Sequence, residues 1–131
     1  MKNYSPVEDK ELLARHIYFP LHTNKKSGLP KWQAFKPTKG GETSVTRQDY
    51  TSVAEVFRLG RNRARRNTFL VFQGKADIVA KDVRSKALDI KPAPNNDDHN
   101  HADIVCWPAE KEEQMDLCKQ LLLKSTFTKD H

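Results

Sequence analysis

Cysteine is scarce in this chain. Cys106 and Cys118 are the only two among 131 residues, too few for a disulfide framework at this length. Both sit in apolar contexts and read as reduced core thiols. Long hydrophobic runs are missing too. None approaches the ~20 residues of a membrane span, and the opening Met1–Pro6 is not followed by an apolar stretch of the kind a secretory signal needs, so a cytoplasmic location is expected. Lys25-Lys26-Ser27-Gly28 and Lys39-Gly40-Gly41 lack the spacing of a Walker phosphate loop. No Gly-x-Ser-x-Gly elbow is present, no Cys–His signature argues for nucleophilic catalysis, and the chain has no internal repeat.

What is present is a polar chain, 37% hydrophobic and 31% charged, with enough branched and aromatic residues to build a core. Its length points to a single domain over residues 1–131, with a polar tail from about residue 125. The net charge of +6 is unevenly spread. Residues 1–50 carry nine Lys/Arg against five Asp/Glu, residues 51–91 ten against four, and residues 92–131 four against eight. A basic body is therefore followed by an acidic C-terminal element.

Local patterns predict a mixture of strands and about three helices. Ser5, Pro6 and Glu8 read as cap, first turn and capping box of a helix to about Arg15. His16–Phe19 reads as a strand closed by Pro20. Lys31–Phe35 and Thr43–Arg47 read as further strands. Thr51 or Ser52 caps the next helix, with Glu55 at the box position for Ser52 and Gly60 as its end. Thr68–Gln73 is nearly continuous apolar sequence and reads as a central strand covered on both faces, extending to Val79 past a bulge at Gly74. One or two helical turns over Ala80–Ala87, a short strand over Leu88–Ile90, a loop over 92–98 and a strand over His101–Cys106 follow. Pro108 opens the last helix, and Met115, Cys118, Leu121 and Leu122 form its buried stripe. Without a regular strand–helix alternation, the expected class is α+β: a mainly antiparallel sheet with about three helices packed on it.

Three sets of residues carry possible chemistry. The first is the row His99, His101, Asp103, on one face if the strand begins near His99. It is similar to the His-x-His-x-Asp run of metallo-β-lactamase-like hydrolases, but Ile104 stands where that family has a further His, and the chain is much too short for that fold. A metal centre needs three or four converging ligands, to which His16 and His22 are the available additions; no metal and no cofactor is expected. The second set is the densest positive run, Arg58, Arg61, Arg63, Arg65 and Arg66. Planar guanidinium groups suit phosphate contacts, and Lys25 and Lys26 are possible additions. Aromatic residues are not interleaved with the arginines, so base stacking is not indicated. The third set has the types that a metal-independent phosphodiester mechanism needs, with His22 and His101 for proton transfer, Asp103 as the companion of His101, and Arg47 and Lys26 for the developing charge.

The segments His22-Thr23-Asn24-Lys25-Lys26, Trp32-Gln33-Ala34-Phe35, Ser44-Val45-Thr46-Arg47 and His101-Ala102-Asp103-Ile104 together resemble a group of small uncharacterised prokaryotic proteins. The resemblance implies no activity, but picks out His22, Arg47 and His101. The first expectation for function is a binding module for an anionic partner, nucleic acid or nucleotide, through the basic surface. The others are a small phosphoester-processing enzyme using His101, His22 and Arg47, and a protein-interaction or homo-oligomerising module. A membrane partner is not expected.

Overall fold

A computed structural model describes residues 1–130. It is an α+β fold: six antiparallel strands and three α-helices. The elements are β1 (Leu12–Phe19), β2 (Thr43–Arg47), α1 (Val53–Arg66), β3 (Val71–Val79), α2 (Ala80–Arg84), β4 (Asp89–Pro92), β5 (His101–Val105), α3 (Lys111–Lys124) and β6 (Thr126–Lys129). The strand order across the sheet is β4-β5-β2-β1-β3-β6. Short 3-10 turns at Trp32–Phe35 and Gln48–Tyr50 flank β2. No described helix is long and apolar enough to cross a membrane.

Strand alternation divides the side chains between two faces. Leu13, Ile17, Val45, Ala76, Ile78, Ile90, Ala102 and Ile104 share a buried cluster with Ala34, Phe35, Val83, Cys118 and Leu121. That face is covered by α3, α2 and the Trp32–Phe35 turn. The other face carries Ala14, His16, Tyr18, Thr46 and His101, and α1 lies over part of it. Phe72 joins the two layers there. Its ring lies 5.8 Å from His16, 5.6 Å from Tyr18 and 6.0 Å from Phe57 of α1, centroid to centroid.

Four local expectations are corrected. Residues 5–15 do not form a helix. The carbonyls of Ser5 and Pro6, which a helix starting there would use internally, accept hydrogen bonds from the Arg47 guanidinium instead, and β1 begins at Leu12. Lys31–Phe35 is not a strand: Trp32–Phe35 curls into a 3-10 turn, which puts neighbouring Ala34 and Phe35 into one and the same buried cluster, where strand alternation would send them to opposite faces. Gly60 does not end α1, which continues to Arg66. Helix and sheet approach so closely there that a Cβ on Gly60 would collide with the Phe72 ring. The polar segment after Ser125 contains β6, which pairs with β3 from Asp77↔Thr126 to Gly74↔Lys129; His131, the last residue of the expected tail, lies outside the described residues.

The strand predicted to be central also sits elsewhere. β3 is next to the edge, begins only at Val71, and leaves Phe69 85% and Val71 54% exposed. The bulge at Gly74 is present: the β1–β3 register shifts between Ile17 and Tyr18, and Gly74 has φ of +148°. The Ser52 cap forms as expected, with its side chain accepting from the Glu55 amide at 3.1 Å.

Candidate anion-binding cleft

Between α1 and the sheet face bearing His16, Thr46 and His101 lies an open cleft of about 650 Å³. Its floor is set by register. Ala14 pairs with Thr46, and Thr46 with His101, so β1, β2 and β5 present their side chains in one row. Beyond Ala14↔Thr46 the β1–β2 ladder has no further paired residues. Arg15 fills the fork. Its guanidinium donates to the Ala34 carbonyl of the Trp32–Phe35 turn at 2.6 Å and to the Ser44 carbonyl of β2 at 3.0 Å, giving both backbone acceptors a partner. Burial, with some help from the nearby Arg63, lowers the Arg15 pKa to about 10. The group still carries its charge at neutral pH.

One wall is the C-terminal half of α1. The opposite wall is the loop at Asn95–Asp98, stiffened by its own short side chains. The Asn95 side chain accepts from the Asp97 and Asp98 amides. Asp98 accepts from the Thr46 hydroxyl at 2.6 Å and from the Asn100 amide at 3.0 Å. A smaller groove of about 290 Å³ continues from the cleft toward the start of α1, lined by Thr51, Glu55 and the 96–100 loop.

The arginine run divides in two. Arg58 is paired with Glu55 one turn earlier, with contacts of 2.5 and 2.6 Å. Arg61 is held by Asp130 at 2.9 Å and lies outside the cleft, and Arg66 reaches Asp97 across the cleft mouth at 3.1 Å. Arg63 and Arg65 have no carboxylate partner among the described residues. Arg63 lies over the Tyr18 ring, 5.6 Å from its centroid, and Arg65 has a long contact of 3.4 Å to Asn62. Five arginines line the cleft against two aspartates, Asp97 and Asp98. Lys25 and Lys26 lie apart from it, on an exposed turn organised by the Asn24 side chain.

The structure does not bring His22, Arg47 and His101 together. Arg47 is on the opposite face from Thr46 and is completely buried. It makes two 2.8 Å hydrogen bonds to Glu11 and further bonds to the Ser5 and Pro6 carbonyls, with the Tyr50 ring 4.9 Å away. Burial alone would push the Glu11 carboxyl up, but the Arg47 and Glu8 hydrogen bonds outweigh it and hold the carboxyl below its usual range. His22 is buried, and its Nδ1 accepts from the Tyr18 amide at 3.0 Å. Burial, reinforced by Arg15 and Arg63, drives its pKa to about 3.

His101 does line the cleft. Its Nδ1 is 2.9 Å from the Ala93 carbonyl, which can only accept, so Nδ1 carries a proton. Nε2 is then directed toward Asp103, 3.8 Å from Oδ1. That oxygen is buried with no hydrogen-bond partner among the described residues. Burial raises the Asp103 pKa, while the neighbouring His101 works against the rise. His99 is on the loop, where its Nδ1 meets the N-terminal amine at 2.8 Å. The described residues contain no group of three or more His, Cys, Asp or Glu that could hold a metal ion.

Sequence patterning misses Arg15 as a contributor to the cleft, and it offers His16 only as a possible metal ligand. Alternation along Leu12–Phe19 puts His16 on the face of Ala14 and Tyr18, but the capping pattern at Ser5–Glu8 hides the first half of that strand. His16 Nε2 donates to the Val56 carbonyl at 2.8 Å, and burial lowers its pKa to about 4, so the ring is neutral at pH 7.

No family model matches the chain, and neither a curated protein nor a solved structure matches it.

Proposed function

We propose that the protein binds a phosphate-bearing partner, a nucleic acid or nucleotide, in the cleft between α1 and the sheet. The observation that carries this reading is the division of the arginine run. Arg58, Arg61 and Arg66 are neutralised by Glu55, Asp130 and Asp97, while Arg63 and Arg65 line the cleft with no carboxylate partner among the described residues. The buried cation of Arg15 adds to the field below them. Guanidinium groups with unused donors beside a concave surface match the charge and planar geometry of phosphate oxygens. Lysines on the Asn24 turn are not needed for it.

Fluorescence anisotropy with labelled RNA and DNA oligonucleotides, titrated between 50 and 200 mM salt, is the test. Each phosphate neutralised on a single strand contributes about −0.7 to the slope of log affinity against log salt. Engagement of Arg63 and Arg65 gives a slope steeper than about −1, and Arg63→Ala/Arg65→Ala flattens it by about that amount. Binding with no salt dependence, or unchanged in the double variant, refutes the assignment.

One observation favours a second reading, cleavage of a phosphoester bond by acid–base chemistry: the His101 imidazole is on the cleft lining with its tautomer set by Ala93. Arg47 and the Nδ1 of buried His22 are engaged elsewhere, and neither residue lines the cleft, so the chemistry falls to His101 with Asp103 behind it. Incubation with RNA, DNA and cyclic nucleotides, wild type beside His101→Ala, tests this. An equal rate in the variant removes it.

A further inference from the structure

The run from Thr68 to Phe72 has the composition of a buried strand, yet its first aromatic residue is bare. Phe69 is 85% exposed and is not a frayed side chain on a loose loop. The Asn67 side chain accepts from the Phe69 amide at 3.2 Å, and the Asn67 carbonyl accepts from the Leu70 amide at 3.0 Å. Leu70 is buried and anchors the turn from below. The same turn that sends Leu70 inward holds the Phe69 ring out. An apolar ring held in water forfeits the transfer free energy that burial would return.

The ring's position gives it a use. Asn67 is the C-cap of α1, so Phe69 is three residues beyond Arg66 and four beyond Arg65. Three residues of extended chain span at most about 11 Å. Counted from Arg65, four residues span at most about 14 Å, so the Phe69 backbone lies within about 14 Å of the nearer of the two cleft arginines that have no carboxylate partner among the described residues. Neighbouring Val71, paired with Phe19 at the end of the β1–β3 ladder, and Leu21 are exposed as well. A second copy of this chain is a poor occupant for this surface, because residues 51–91 carry ten Lys/Arg against four Asp/Glu and would face themselves.

Building on the cleft reading above, we propose that the partner is a single-stranded nucleic acid, with phosphates on Arg63 and Arg65 and one unpaired base stacked on Phe69. Every base offers a π-face, so the platform is tolerant of sequence. In a duplex those faces are hidden within the stack, and an aromatic ring outside the cleft has nothing to meet. Charge selects the backbone, and the ring selects the unpaired state.

The test uses a labelled 12-nucleotide single strand as RNA and as DNA, the blunt duplex of the same sequence, and inorganic polyphosphate as competitor. These are titrated against wild type, Phe69→Ala, Phe69→Trp and Arg63→Ala/Arg65→Ala. Wild type is expected to bind single strands more tightly than duplex. Phe69→Ala is expected to weaken single-strand binding about 5- to 160-fold, the range for loss of one stacked base, while duplex binding and polyphosphate competition stay as in wild type. Phe69→Trp restores the affinity. A preference between the RNA and DNA arms identifies the natural source, and either one supports the proposal. Single-strand binding by Phe69→Ala within twofold of wild type overturns it, as does a wild-type preference for duplex. If duplex and polyphosphate still bind through Arg63 and Arg65 in those cases, only the stacking inference falls. If no polyanion binds with salt dependence, the cleft reading falls with it. Light scattering closes the remaining route: a wild-type dimer that Phe69→Ala converts to monomer, with nucleic-acid binding unchanged, assigns the surface to self-association and overturns the proposal. Phe69 makes no buried contact that the fold depends on, and an unchanged melting temperature in each variant checks this.

Discussion

Replacing Gly60 by alanine sets helix propensity against packing, and the structure decides the sign. In an exposed helix interior the change gains about 1 kcal/mol, since glycine is the poorest ordinary helix former. Here the added Cβ points into the Phe72 ring. That ring cannot swing aside, because His16, Tyr18 and Phe57 surround it at centroid distances of 5.6–6.0 Å. Nor can the helix lift freely, because the Tyr18 hydroxyl donates to the Gly60 carbonyl at 3.1 Å; losing that bond costs about 1 kcal/mol. Overpacking of a filled core costs about 1–3 kcal/mol. The propensity gain and the hydrogen-bond loss offset, and the net expectation for Gly60→Ala is a loss of about 1–3 kcal/mol, or a fall in Tm of about 3–15 °C for a chain of this length. Urea unfolding followed by near-UV circular dichroism measures it. Ala54→Gly, on the exposed side of the first turn of the same helix, measures propensity without packing and is expected to lose less than the ~1 kcal/mol of a helix interior. A Gly60→Ala midpoint equal to or above wild type would refute the close approach of α1 to the sheet, and with it the shape of the cleft.

Three further expectations follow from the same contacts. Arg47→Ala leaves the buried Glu11 carboxylate unpaired and is expected to cost about 3–5 kcal/mol in denaturant unfolding, whereas Glu11→Leu/Arg47→Met is expected to recover much of that loss; a single variant as stable as wild type contradicts the buried pair. His16 and His22 have folded pKa values of about 4 and about 3, below the unfolded value near 6.5. Unfolding then takes up as many as two protons, most fully near pH 5, so stability is full well above pH 6.5 and falls on acidification by up to about 2.7 kcal/mol per unit; midpoints that stay constant from pH 7 to pH 4.5 exclude those shifts. Asp98→Ala frees the Thr46 hydroxyl and the Asn100 amide, at a cost of about 1–2 kcal/mol, and removes one of the two negative charges at the cleft. Its unfolding midpoint should drop while its affinity for polyphosphate rises; lower affinity in a folded variant argues against an anion in the cleft.

Features whose partners are near neighbours in sequence are legible from local pattern alone. Ser52 caps α1 through a bond to Glu55 three residues on. β2 and β5 follow from alternation, with Val45, Ala102 and Ile104 buried. Gly74 marks its bulge locally, because glycine permits the positive φ there, whereas the close passage of the Thr128 carbonyl, which a Cβ would strike, depends on a strand 54 positions away. The mixture of these elements is enough to place the chain in the α+β class. The arginine run is visible as a dense charge, because charge needs no partner to be counted.

Tertiary structure decided what the charges and rings were for. Ser5–Glu8 has the letters of a helix start, but its carbonyls meet Arg47 from more than forty positions away, and a buried guanidinium outweighs a marginal first turn. Gly60 reads as a helix stop until the Phe72 ring is placed against it. Which arginines are neutralised depends on Asp97 and Asp130, separated from them by 31 and 69 positions. Whether Phe69 is core or surface depends on where the sheet ends. Local hydrogen bonding and hydrophobic period are properties of a few consecutive residues, so the sequence alone determined the α+β class and the elements with a local signature, such as α1, β2 and β5, but not the segments 5–15, 31–35 and 126–129. Pairing, burial and exposure depend on distant segments meeting, and so the cleft, its free cations and its bare aromatic ring belong to the folded chain.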